Sequence, residues 1–279
     1  MKRASQQAHS LGLLFLHMNN NPIGVLDSGI GGLSIWREIV KQLPSESTIY
    51  IADSKNCPYG LRPEKEIYKL AQRLVQFLIN KQCKVIVLAC NTITVSSLDK
   101  LRSEFEIPII GTVPVVKTAV QRSKNGRIGI LSTTRTAESE YQKKLIKQFA
   151  GDCEALNIGT DKLVPLIEKG SAKQNLKEVL EDVLEPLKEA GIDTLALGCS
   201  HFPLIKQQIQ EVLGSNIEIL DSGAAIGRQT RRILENNDIL SETKNQSHEF
   251  YTTGDVGIFK SITESLGFGD IIVKTAFCK

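Results

Sequence analysis

The chain has 279 residues, of which 41% are hydrophobic and 23% charged, and its formal net charge is +3. That length fills one large domain or two of ordinary size, and the proportions are those of a globular protein with a sizeable core. The small net charge, the absence of a long basic block, a 5% aromatic fraction and a single Trp argue against nucleic acid as a partner, and no stretch is long and apolar enough to span a membrane.

Six cysteines (Cys57, Cys83, Cys90, Cys153, Cys199 and Cys278) are scattered with no Cys-x-x-Cys among them. Neither structural zinc nor a dithiol redox motif is expected, and free thiols in a reducing cytoplasm are. Cys83 and Cys153 have no polar loop around them and read as packed thiols. His9, His17 and His248 lie in an N-terminal extension and a polar linker, so spacing along the chain assembles no metal cluster.

At the N-terminus, Lys2 and Arg3 followed by Leu11 to Leu16 resemble a signal peptide only faintly, because the apolar run is short and His17 interrupts it. Residues 1–21 are read as an extension without fixed structure, with Met18 an alternative start. Ile23 to Leu26 is a strand running into Asp27-Ser28-Gly29-Ile30-Gly31-Gly32. Leu33 to Leu43 has helical spacing, with Leu33, Trp36, Ile39, Val40 and Leu43 on one face. Thr48 to Ala52 is a second strand. Pro63-Glu64 starts a helix that reaches about Asn80. Val85 to Ala89 is the third strand and carries Cys90 at its end. Thr94 to Phe105 is helical. Ile107 to Ile110 is an edge strand, since Pro108 donates nothing to a ladder.

The pattern then begins again. Arg127 to Thr134 echoes Pro22 to Gly29, Leu195 to Cys199 echoes Ile86 to Cys90, and Ile217 to Ser222 echoes Ile107 to Thr112. The common offset of about 105 to 110 residues implies a duplicated unit. Strands alternating with helices give two pseudo-symmetric parallel-sheet α/β domains with the active site in the cleft between them. The expected division is residues 22–113 plus 224–279 for the first domain and 114–223 for the second. The tail is read as one helix (Ile226 to Asn236), a polar linker (Ser241 to Ser247) and a strand near Phe250 to Thr253 that returns to the first domain.

Ligands in open α/β sheets sit at the carboxyl ends of strands. The duplication therefore places Cys90 and Cys199 on opposite sides of one substrate, an arrangement that suits removal of a proton from one face of a stereocentre and its return on the other. An unperturbed thiol is only a few per cent thiolate at neutral pH. Asp27, His201 and the amide-rich helix starts are the candidate activators. Asn91, Thr92, Ser28 and Ser200 offer groups for a carboxylate, and Asp27 for an ammonium. The plainer alternative for Asn91, Thr92 and Ser200 is helix capping. Gly29-x-Gly31 also suggests a dinucleotide loop, but Ser34 replaces the third glycine and Asp27 would repel a pyrophosphate.

Asp27 to Leu33, Pro58-Tyr59-Gly60, Cys90-Asn91-Thr92 and Gly198-Cys199-Ser200-His201-Phe202-Pro203 resemble, in order and spacing, the four signatures of glutamate racemase, over roughly Pro22 to Phe277. The resemblance implies a cofactor-independent enzyme, a cytoplasmic homodimer, that interconverts L- and D-glutamate and supplies D-glutamate for peptidoglycan. It makes Cys90 and Cys199 the acid/base thiols, with Asp27 assisting Cys90 and His201 assisting Cys199. It gives the substrate contacts as Asp27, Ser28, Tyr59, Gly60, Asn91, Thr92, Ser200 and His201. Glu168 matches a family acid more loosely, and a solvated helix acid is its alternative reading. The chain departs from the family in Ser200, where Thr is usual, and in Ile93, where a small residue is. Racemisation of another acidic amino acid or a hydantoin, and a non-catalytic amino-acid-binding module, are the competing readings.

Overall fold

The computed structural model describes residues 19–170, 173–242, 245–269 and 271–277. The expectations for Met18, His9, His17, Cys278 and residues 1–18 lie outside these. Among the described residues, ten strands form two sheets, every neighbouring pair parallel.

In chain order the first half comprises β1 (Ile23–Asp27), α1 (Leu33–Gln42), β2 (Thr48–Ala52), α2 (Glu64–Asn80), β3 (Val85–Leu88), α3 (Asn91–Glu104) and β4 (Ile109–Gly111). The second half repeats the strand pattern with α4 (Val116–Arg122), β5 (Arg127–Ser132), α5 (Thr134–Glu138), α6 (Glu140–Phe149), β6 (Glu154–Gly159), α7 (Leu163–Glu168), α8 (Lys173–Glu189), β7 (Thr194–Gly198), α9 (Lys206–Leu213) and β8 (Glu218–Leu220). The tail supplies α10 (Gly223–Asn236), β9 (His248–Thr252), α11 (Val256–Ser265) and β10 (Val273–Thr275).

The first sheet runs β10-β9-β2-β1-β3-β4 and the second β6-β5-β7-β8. The core order 2-1-3-4 of the first is thus reproduced strand for strand in the second, as the sequence echoes require. β1, β2, β3 and β7 are buried throughout, which is why they read as unbroken apolar runs. The pleat sorts their side chains. Val25, Tyr50 and Val87 join Leu131, Leu195 and Leu197 in one core that crosses both sheets, while Leu26, Ile51 and Leu88 face a core of the first sheet alone.

Several element readings need revision. Helix α3 begins at Asn91, three residues before the expected Thr94, because the Cys90 carbonyl already accepts from Thr94 N–H. On α1, Ile35 is buried and Val40 only partly so: the helix is covered on one flank by α10 and on the other by β2, which turns the apolar stripe. The tail is richer than one helix and one strand. Its β9 pairs with β2 and β10 with β9, both in the first sheet, and α11 connects them. His248 is not linker but the first residue of β9, its Nδ1 2.9 Å from Thr48 Oγ1.

Candidate active site

In both sheets the first and third strands of the repeat lie side by side, and their connections leave in opposite directions. The crevice beyond their carboxyl ends is the topological switch point. Ser28 follows β1, Cys90, Asn91 and Thr92 follow β3, Thr133 follows β5, and Cys199, Ser200 and His201 follow β7. All of them line one cavity, closed at its mouth by Pro58, Tyr59 and Gly60 from one side and Asp161 and Val164 from the other. The room inside is ≈ 10 Å³, about that of a single water.

The thiols are 5% and 6% exposed. Burial and the charge of Asp27 push the Cys90 thiol up to about 12, although the Ile93 N–H and Ser28 favour its thiolate. Ser28 Oγ lies 3.7 Å from Cys90 Sγ and donates to Asp27 Oδ1 at 3.3 Å, so Asp27 reaches this sulfur through a hydroxyl. The buried Asp27 carboxylate also accepts from Gly29 N–H at 2.8 Å and, at Oδ2, from Ser200 Oγ at 2.8 Å. Burial raises its pKa against the opposing pull of His201 and these donors.

On the other side, His201 Nδ1 is 3.9 Å from Cys199 Sγ, and Nε2 is 2.6 Å from Glu168 Oε1. Burial disfavours the imidazolium, but hydrogen bonds to Cys199, Cys57 and Glu168 and the charge of Glu168 override it and hold this histidine well above the ordinary imidazole range. Glu168 Oε1 also accepts from Ile30 N–H at 2.7 Å. Glu168 is therefore no solvated helix acid. It sits at the end of α7, bonded to the loop after β1 and to the loop after β7.

The glycine loop owes its composition to these contacts. A Cβ on Gly29 would stand 1.8 Å from Glu168 Oε1, and one on Gly31 would stand 2.4 Å from His201 Nδ1. The backbone must come this close to acid and imidazole, so a phosphate is not needed to explain the glycines.

Asn91 and Thr92 do not cap α3. Asn91 Nδ2 reaches Thr112 O at 3.4 Å, and Thr92 Oγ1 lies 3.0 Å from Thr133 Oγ1 across the cleft. Tyr59 is turned from the cavity at its hydroxyl, which donates to Asp53. Of the residues that sequence reasoning named, all but Asp27 and Glu168 line the cavity, and those two stand directly behind it. Pro58, although quoted as part of a signature, was not named as lining the cavity; Thr133, Asp161 and Val164 were also missed. The repeat carried the signal for Thr133, since it is the counterpart of Ser28. Asp161 and Val164 have no counterpart signal. Local spacing also gave no metal set, yet the fold brings Cys57, Glu168 and His201 together from three segments.

Comparison with known proteins agrees with this geometry. A family model for Asp/Glu/hydantoin racemases matches residues 23–230. A glutamate racemase of Herpetosiphon aurantiacus is 40% identical over 251 residues, 89% of this chain and 99% of that one. A crystal structure of a glutamate racemase isoform from Bacillus anthracis has a TM-score of 0.85 at 34% identity, covering 92% of this chain and 97% of its own. The Escherichia coli glutamate racemase, in complex with L-glutamate and the activator UDP-MurNAc-Ala, has a TM-score of 0.81 at 30% identity, covering 91% and 98%. With matched signatures, a shared two-sheet fold and relatives aligned over nearly their whole length, the chain belongs to the Asp/Glu/hydantoin racemase family, among its glutamate racemases.

Proposed function

We propose that this chain interconverts L- and D-glutamate by a two-base proton transfer at Cα, with Cys90 and Cys199 as the two bases. The observation that carries the reading is that two thiols, at equivalent strand ends of two like sheets, line one cavity. Removal of the Cα proton by one sulfur leaves a planar carbanion, and the other sulfur delivers a proton to the opposite face. The two environments are unequal in a way that supports this division of labour. Cys90 is held protonated by burial and so is ready to donate, while Cys199 faces Nδ1 of a histidine held in its charged form, the positive charge that a working thiolate needs beside it. Cys199 then acts on the L-isomer and Cys90 on the D-isomer, and in the reverse direction Asp27 assists Cys90 through Ser28.

Ser28, Asn91, Thr92 and Ser200 supply the polar groups that hold the substrate, and Asp27, behind the cavity, orients Ser28 and Ser200. The L-glutamate held by the Escherichia coli relative supports glutamate as the substrate. A supply of D-glutamate for peptidoglycan and assembly as a homodimer are parts of the same proposal, both following from the family resemblance. The division into residues 22–113 plus 224–279 and 114–223 is supported by β9 and β10 pairing in the first sheet and by α10 packing on α1.

The test is racemisation of L-glutamate in deuterium oxide without added cofactor. The expected result is loss of optical rotation with deuterium at Cα, and no exchange refutes the assignment. Cys90→Ser and Cys199→Ser are each expected to lose about 10²–10⁴-fold in kcat, the worth of a positioned acid or base. Full activity in either variant refutes the two-base account.

A further inference from the structure

We propose that Cys57, Glu168 and His201 form an inhibitory zinc site that shuts off the Cys199 side of the active site. The ligand atoms Cys57 Sγ, a Glu168 carboxylate oxygen and a His201 ring nitrogen all lie within 4.8 Å of one another. Tetrahedral zinc at its usual bond lengths sets such donors about 3.3–3.6 Å apart, so side-chain adjustments alone suffice. One of them is an opening of the 2.6 Å Glu168–His201 contact. One thiolate, one carboxylate and one imidazole balance the dication in a partly buried position, and the mixed sulfur, nitrogen and oxygen set selects zinc over magnesium or calcium.

Two further features of this place suit an ion. Both hydrogen bonds to Glu168 land on Oε1, and Oε2 accepts none from the described residues. The carboxylate can therefore keep the Ile30 amide on one oxygen while turning the other to a metal, the kind of outer support that metal ligands ordinarily have. There is also a way in that avoids the substrate cavity. Cys57 and Glu168 line a separate cavity of ≈ 360 Å³, walled by Ile30, Phe259 and Ile262, with Lys55 and Asp255 beside it. His201 lines the substrate cavity. The three donors thus form the partition between the two spaces.

The consequence for turnover rests on the racemase reading. Binding releases the thiol proton of Cys57 and any proton on His201 Nε2 to solvent, and the sulfur and nitrogen lone pairs go to the metal. With Nε2 ligated, the remaining imidazole proton resides on Nδ1, the nitrogen that faces Cys199 Sγ. The ring is then held by the ion and can no longer gain or lose a proton opposite Cys199, so that side of the site is shut off without any change in the cleft cysteines.

Two measurements test the site. In the Cys90→Ser/Cys199→Ser double variant, cobalt(II) is expected to bind one ion per chain with a thiolate-to-metal charge-transfer band, and adding Cys57→Ser is expected to abolish the band. Absence of the band in the double variant, or its survival in the triple variant, overturns the site whether or not the chain is a racemase. In the otherwise unaltered enzyme, zinc is expected to inhibit racemisation reversibly with chelator. Cys57→Ser, measured against its own metal-free rate, is expected to need at least tenfold more zinc for the same fractional inhibition. An unchanged midpoint in that variant places the inhibiting ion on the cleft cysteines and overturns the proposal.

Discussion

Asp27 shows what a single buried charge costs and why it is kept. It is fully buried, and its pKa lies above the ordinary carboxylate value despite three donors and a nearby imidazole. A raised folded-state value means that the folded protein holds this proton more tightly than the unfolded chain. Stability is then lost as pH rises from the unfolded value through the folded one. Asp27→Asn is therefore expected to raise Tm at pH 7, by about 2–4 °C for a gain near 1 kcal/mol, while racemisation falls. A lower Tm would mean that the Gly29 and Ser200 hydrogen bonds outweigh burial. The His201–Glu168 pair depends on pH in the same direction, because its proton too is held more tightly in the folded protein than in the unfolded chain. A histidine raised by its partners contributes stability that is complete below about pH 6.5 and disappears as pH climbs through the raised value. The Tm deficit of Glu168→Gln is expected to be larger at pH 6 than at pH 10. An equal deficit at both would show that packing alone, not charge, is lost.

Between elements, a buried ion pair joins distant parts of the chain at the amino end of the first sheet. Lys84, just before β3, has its side chain 0% exposed and its Nζ 2.6 Å from Glu46 Oε2. The same ammonium donates to the carbonyls of Asn19 at 2.6 Å and Ile239 at 2.7 Å, and Glu46 Oε1 accepts from Ser241 N–H. Asn19, placed before β1 in what reads from sequence as an unstructured extension, thus meets the β1–β3 neighbourhood and the segment after α10 on two side chains. Lys84→Met is expected to cost about 3–5 kcal/mol by leaving Glu46 buried and unpaired. Lys84→Met/Glu46→Leu is expected to recover part of that loss in chemical denaturation, and a strictly additive double variant would refute the coupling. Nothing in the local sequence marks this pair, because a lone Lys after Cys83 and a lone Glu after Pro44-Ser45 read as ordinary surface residues.

At the scale of the whole molecule, a site with room for about one water must open to take up an amino acid, and the contacts that cross its mouth set how easily it does so. Arg135, at the start of α5, donates from Nη2 to the Arg62 carbonyl at 3.0 Å, bridging the second sheet's lip to the loop after Gly60. Arg135→Ala is expected to raise KM for glutamate by up to about tenfold, the worth of one hydrogen bond from a charged donor, with little loss of kcat. An unchanged KM would show that this bridge does not govern closure. The sequence by itself determined the strands, because strands buried on both faces must be continuous apolar runs. It determined the duplication, because each echo retains the residues at a strand's end, and from these two facts came the equivalence of Cys90 and Cys199. Only the tertiary structure decided that Thr133, Asp161 and Val164 complete the cavity, that Asp27 reaches Cys90 through Ser28 rather than directly, and that Cys57 lies against Glu168 and His201. Those are contacts between segments far apart in the chain, and proximity created by folding two sheets onto a common core leaves no periodicity or local spacing to read.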